Sequence, residues 1–475
     1  MPMWKSIILV LIAMTTFIGG MLLWQWKAYS KQNNLNNEST ERAIQEITVH
    51  SNEKELQISQ KIIGLTSGKE YKVSKPDSLF HWSCKDKEGK ACDSGDENPN
   101  TFKANQNQLV FEYTIPVQTN GSAFLLNEWV TNIPDLAITS SSIEIIDKAR
   151  RGGTWIAGAP IKGYKEMDLI DYYYFDGIGI PSSLYWQPKP IQKKQSEMEK
   201  VFLYGSQGLE NMNHFQEIKS LKGFPFVSVV FTDQYHEENG KGIMIVSPNT
   251  NEDELKQKLI NYYFEKKFKD ISKDQYWIID VFTSYTINEA AKTTKGKAIL
   301  EELGNKLSEE ELNSFFKKAS ECSEMLTLKQ LDHYLSELKG WKSKFFISNG
   351  ERTDSIIPLY FYDFRKVIVS GKEEKGIEVV IDQEKRLFPF VQTMEALGYD
   401  VQVLSDKETI FLAKGRNSYR FFLNQNIFIY NEEDYGLLES PLLNINGNIY
   451  MNKEWIETLF KVNIEVGNEE INISL

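Results

Sequence analysis

The hydrophobic pattern changes character several times along the chain. Between Lys5 and Lys27 there is no charged residue, and residues 6–26 are apolar almost throughout. At 1.5 Å rise per residue, a helix over this run spans roughly 32 Å, matching a bilayer core of ~30 Å. Trp4, Trp24 and Trp26 sit at its ends, where indole rings favour the membrane interface. A buried core helix is the competing reading, and the length of the run argues against it. Gln25-Trp26-Lys27 makes a poor cleavage site, so the pattern predicts an uncleaved anchor over 1–27. Lys5 on one side, against Lys27 and Lys31 on the other, hardly decides orientation. A short leading tail before a large body predicts that the body is extracytoplasmic.

After the anchor the pattern becomes polar and Asn-rich over 28–55, which reads as a linker with a short polar helix over 43–56. From 56 to 118, short apolar runs alternate with turn residues, predicting a β-rich, sandwich-like region. Residues 119–285 mix the two periods. Strands are expected at 124–130, 143–146, 201–204, 226–231, 243–246 and 276–282. A helix is expected after Asn251, which is followed by acids and then by Leu255, Leu259, Tyr262 and Tyr263 on one face. Residues 286–345 read as helical. Ser308 with Glu311, and Thr327 with Gln330, fit the capping box, and Gly340 fits a helix stop. The fold class expected is a multidomain α+β chain.

Composition adds bounds. At 475 residues the chain is long enough for two to four domains. A hydrophobic content of 41% with 12% aromatics suits a folded body. The net charge of −12 excludes a nucleic-acid surface of the ordinary basic kind. Among three cysteines, Cys84 and Cys92 lie eight apart, either as a small crosslinked loop or as two inert thiols. No His or second Cys pair accompanies them, so neither a metal site nor a cofactor is expected.

The end of the chain repeats itself. One copy starts at Arg386 and the other at Asn448. Leu387, Phe388, Met394, Leu397 and Val401 align with Ile449, Tyr450, Ile456, Leu459 and Val462, with one residue deleted from the second copy. Each copy is an apolar entry, a short helix and two alternating strands, and each alone would expose an apolar face. Arg386, Pro389, Phe390, Leu397 and Gly398 in copy one, with the lead-in Ser440 to Gly447 before copy two, resemble the copper amine oxidase N-terminal-like domain, also called the stalk domain. Copy two departs from it, with Asn448 for Arg, Met451 for Pro and Phe460 in place of Leu-Gly. The resemblance covers 376–475 within a domain expected at 360–475. It implies an exported or cell-surface bacterial protein in which the module spaces or attaches. It does not imply copper, because no His follows His333 and no Cys follows Cys322.

Chemistry is sparse in the remainder. Tyr235-His236-Glu237-Glu238-Asn239-Gly240 lacks the second His of a zincin motif, and no nucleophile elbow, phosphate loop or dinucleotide fingerprint occurs. Asp168, Asp171 and Asp176 surround a run of aromatics. Paired carboxylates there could work at a glycosidic bond, with Tyr173 and Trp186 stacking on a sugar. The competing reading is a strand with one face in the core. Arg150 and Arg151, before Gly152-Gly153, could hold an anion or form a surface turn. The function expected is a membrane-anchored, extracytoplasmic envelope protein with a non-catalytic binding role toward a wall glycan or a protein. The alternative is a wall-glycan-processing enzyme using the carboxylates near 168–176.

Overall fold

A computed structural model describes residues 41–474 apart from 96–97, 118–120, 207–208, 210–211, 213–214, 269–270, 351, 353–354 and 383–384. The apolar run at 6–26 lies outside the described residues, and among those described no helix is long and apolar enough to cross a membrane. The architecture is a mixed strand-rich and helical multidomain one. It divides into two units. Of the described residues, one holds those up to 212 together with 226–250, the other 215–225 and those from 251 onward.

The first unit is built on a seven-stranded sheet. Its order is Ile161–Glu166, Asp171–Ile178, Leu136–Asp147, Glu41–Ser51, Glu55–Ile63, Gln108–Pro116 and Phe80–Lys85. The Glu41–Ser51 strand corrects the polar helix expected at 43–56. Ala43, Gln45, Ile47, Val49 and Ser51 all face inward, a period of two. The same residues tolerate a helical reading, and what decides is pairing. This strand runs parallel to Leu136–Asp147 and antiparallel to Glu55–Ile63. Inward side chains such as Ile47, Ile58, Phe111, Ile145 and Phe175 share one core with Trp129, Trp155 and Trp186. Trp155 and Trp186 come from a smaller sheet of Phe124–Leu126, Thr154–Ala157 and Leu184–Gln187. Cys84 and Cys92 are joined by a disulfide with Cα atoms 5.4 Å apart.

A five-stranded sheet also belongs to this unit. Its three inner strands, Val201–Gly205, Val227–Phe231 and Ile243–Val246, are parallel and buried at every position. Unbroken apolar runs are the mark of strands covered on both faces.

The second unit begins with helices. Asn251 caps Glu252–Lys267 through a full capping box, and Ser308 and Thr327 do the same for Glu309–Glu321 and Leu328–Lys339. Gly340 ends the last of these in the left-handed conformation. The strand expected at 276–282 is instead part of the helix Trp277–Ile287. A short apolar run has no period that separates a buried strand from a buried helix. Phe264, Phe282, Phe315, Phe316 and Phe346 pack ring against ring between these helices.

The duplicated C-terminal region folds as two strand–helix–hairpin copies. The entry strands Lys385–Pro389 and Asn448–Asn452 pair antiparallel, with Phe388 opposite Met451. The helices Phe390–Ala396 and Lys453–Phe460 contribute Met394 and Ile456 to one shared core. That pairing buries the apolar face each copy would expose alone.

Candidate functional site

Of the residues singled out between 150 and 186, Arg151 and Asp171 meet each other, and the carboxylates of Asp168 and Asp176 do not join them. Asp171 and Asp176 sit five apart on one strand, so they face opposite sides of the sheet. Asp171 is buried and receives Arg151 Nε at 3.2 Å and the Gly152 amide at 3.3 Å. Arg151 also donates to the carbonyls of Asp168 (2.8 Å) and Met167 (2.7 Å), pinning the hairpin turn. Arg150 is buried as well. It donates to Ser51 Oγ and to the carbonyls of Asn52 and Glu53, and it lies over Phe124 and Trp186. Tyr173 and Trp186 are core residues, and burial pushes the Tyr173 phenol up. Gly153 fits because a Cβ there would meet Gln187 O at 2.5 Å and Trp186 Nε1 at 2.6 Å. The cluster is a lock between strands, with its carboxylate and guanidinium groups engaged internally.

The outward face of that strand carries Tyr172. Its hydroxyl donates to Glu144 at 2.7 Å, and this bond with partial burial holds the phenol up at about 12. Asp176 shares the face and stands opposite Ser142.

A cleft of about 570 Å³ lies elsewhere in the first unit, where 74–78, 127–132, 180–181 and Lys241 meet. Ser74 and Asn132 exchange backbone bonds of 2.8 Å, which join two of its walls. Behind them, Asn127 Nδ2 donates to Glu238 at 2.8 Å, and Ser183 Oγ donates to Asn127 Oδ1 at 2.7 Å. The Lys241 amide donates to Ser183 Oγ at 2.7 Å. Gly240 must be small here, since a Cβ would stand 2.6 Å from Asn127 Oδ1. Glu238 in turn pairs with His236 at 3.0 Å, so the acidic turn of 235–240 braces the cleft wall.

This bracing presents charge of both signs. Lys241, Glu128 and Asp77 are exposed on the lining, and their charged groups have no partner among the described residues. Pro76, Val130, Ile180 and Pro181 supply apolar surface between them, with Ile180 56% exposed. None of these residues belongs to a local motif.

Among the described residues, no three His, Cys, Asp or Glu side chains are grouped to hold a metal ion. No curated protein matches the chain. Solved structures that match in part include the M1 zinc metallopeptidase of Deinococcus radiodurans, at 9% identity and TM-score 0.43, over 63% of this chain and 90% of that one. A point mutant of the same enzyme bound to a Tyr-Ser-Ala substrate matches at 10% identity and TM-score 0.46, over 67% and 95%. These neighbours are peptidases, neither non-catalytic envelope-binding proteins nor glycan-processing enzymes, and both of those expectations fall. With TM-scores below 0.5, the likeness is carried no further. The C-terminal region is matched on its own: residues 369–475 match the family described as copper amine oxidase N-terminal domain.

Proposed function

We propose that the first unit receives a small zwitterionic ligand or substrate, a short peptide above all, in the cleft around Lys241, Glu128 and Asp77. The observation that carries this reading is the presence, on one braced and partly apolar recess, of charges of opposite sign with no partner among the described residues. Complementary charges fix the register of a ligand, and apolar walls bury its carbon skeleton. Lys241 suits a terminal carboxylate, and Glu128 with Asp77 suits a terminal ammonium.

Calorimetric titration of the full chain with tri-alanine tests it, with hydrolysis followed in the same mixture to separate ligand from substrate. Saturable binding is expected. Lys241→Met should weaken it about tenfold or more, the scale of one charge-assisted hydrogen bond. N-acetylation with C-amidation of the peptide should have at least the same effect. No saturable binding, or equal affinity for the doubly capped peptide, would sink the proposal.

A further inference from the structure

A second cluster lies in the other unit, and its charges do not balance. The Asp363 side chain is 1% exposed and accepts from two guanidinium groups. Arg365 Nη1 donates to Oδ1 at 3.1 Å and to Oδ2 at 2.8 Å. Arg386 Nε donates to Oδ2 at 3.2 Å. One carboxylate therefore faces two cations, and no second carboxylate among the described residues lies within ion-pair distance of either arginine.

Asp363 engages one nitrogen of each arginine side chain. Nη2 of Arg365 and both Nη atoms of Arg386 have no partner among the described residues, and Arg365 Nε is buried without one. Aromatic rings hold the guanidinium planes. Arg365 lies 5.6 Å from Trp341 and 5.2 Å from Phe364, and Arg386 lies 5.9 Å from Trp341. Stacking of this kind fixes a planar fork and leaves its edge free to donate. With 16% and 25% of the two side chains exposed, those edges meet solvent. A single arginine would satisfy Asp363. A second cation brought out of water costs desolvation that the one carboxylate does not offset.

We propose that Arg365 and Arg386 form an oxyanion site, in which a carboxylate or phosphate group takes the guanidinium donors that Asp363 leaves open. Bidentate geometry suits either group. The site is independent of the peptide cleft.

The test is a calorimetric titration of the full chain at low ionic strength, with inorganic phosphate in one arm and acetate in the other. Saturable binding of at least one is expected, and which one binds names the group. Arg386→Gln should weaken it about tenfold or more. Arg386→Lys, which keeps the charge and loses the fork, should weaken it too, and it is the variant to read if thermal melting shows that the glutamine form is unfolded. Absence of saturable binding in both arms overturns the proposal without any variant. Binding that persists unchanged in Arg386→Lys and Arg365→Gln overturns it as well.

Discussion

Arg386 donates through Nε to Asp363 at 3.2 Å, so the residue that opens the first C-terminal repeat is tied to a carboxylate 23 positions earlier. The bond explains why an arginine stands at that entry, since its neighbours Leu387 and Phe388 are buried in the core. Breaking a buried pair from the acidic side leaves cations without compensation, which costs roughly 3–5 kcal/mol. Asp363→Asn should therefore destabilise the second unit by about 3 kcal/mol or more in urea unfolding. A loss under about 1 kcal/mol would mean that the two arginines are solvated well enough without it.

Gly153 and Gly163 make a matched pair in the first unit. A methyl group at Gly153 runs into Gln187 O and the Trp186 ring, while at Gly163 its nearest neighbour is Tyr174 Cβ at 3.7 Å, an ordinary contact. Overpacking a filled site costs typically 1–3 kcal/mol. Gly153→Ala should lower stability by about that amount, and Gly163→Ala should be near neutral or slightly stabilising through the unfolded chain. Equal effects in thermal melts would show that the Trp186 wall yields.

These cases also show what a sequence exposes. The C-terminal duplication was legible because each copy switches from helical to strand periodicity within a few residues, and because Asn446-Gly447 supplies the two positive-φ residues that a tight hairpin needs. The capping boxes at Ser308 and Thr327 were legible for the same local reason. The Glu41–Ser51 strand was not, since its parallel partner lies almost a hundred residues away. The separation of Asp171 from Asp176 needed only the recognition that 171–178 is a strand, because an odd offset then parts them. The cleft could not be foreseen at all, as four distant segments build it and no one of them carries a signature.

Glu41 gives a pH dependence with a definite sign. Burial acts to raise its pKa. Hydrogen bonds from Lys69 (2.8 Å), Tyr71 (2.5 Å) and Thr66 (2.6 and 2.7 Å) outweigh that and lower it from 4.5 to about 2. A carboxylate depressed in the folded state stabilises fully above its unfolded value and loses that contribution as it protonates. Its share of the stability should thus be present above pH 4.5 and fade as the pH falls toward 2. Melting temperatures of the wild type and Glu41→Gln, compared across that window, should converge toward the acid end. A gap that stays constant from pH 5 to pH 2 would place the titration elsewhere.

The two repeats end their helices differently, and the difference is measurable. In copy one, Gly398 takes the left-handed conformation at φ +84° after Phe390–Ala396. In copy two, Lys461 does the same work at φ 53°, ψ 38° after Lys453–Phe460. A side chain in that region pays a steric penalty of roughly 1–2 kcal/mol, which glycine avoids. Glycine also adds disorder to the unfolded chain, which takes back part of the gain. Lys461→Gly should therefore stabilise the domain by about 0.5–1 kcal/mol, since the Lys461 side chain is exposed and makes no polar contact among the described residues. Gly398→Ala should do the reverse, by about 1 kcal/mol. Urea midpoints moving in opposite directions for the two variants would establish that the repeats share one helix stop. A Lys461→Gly variant that loses stability would mean that the lysine stem covers apolar surface at the end of its helix.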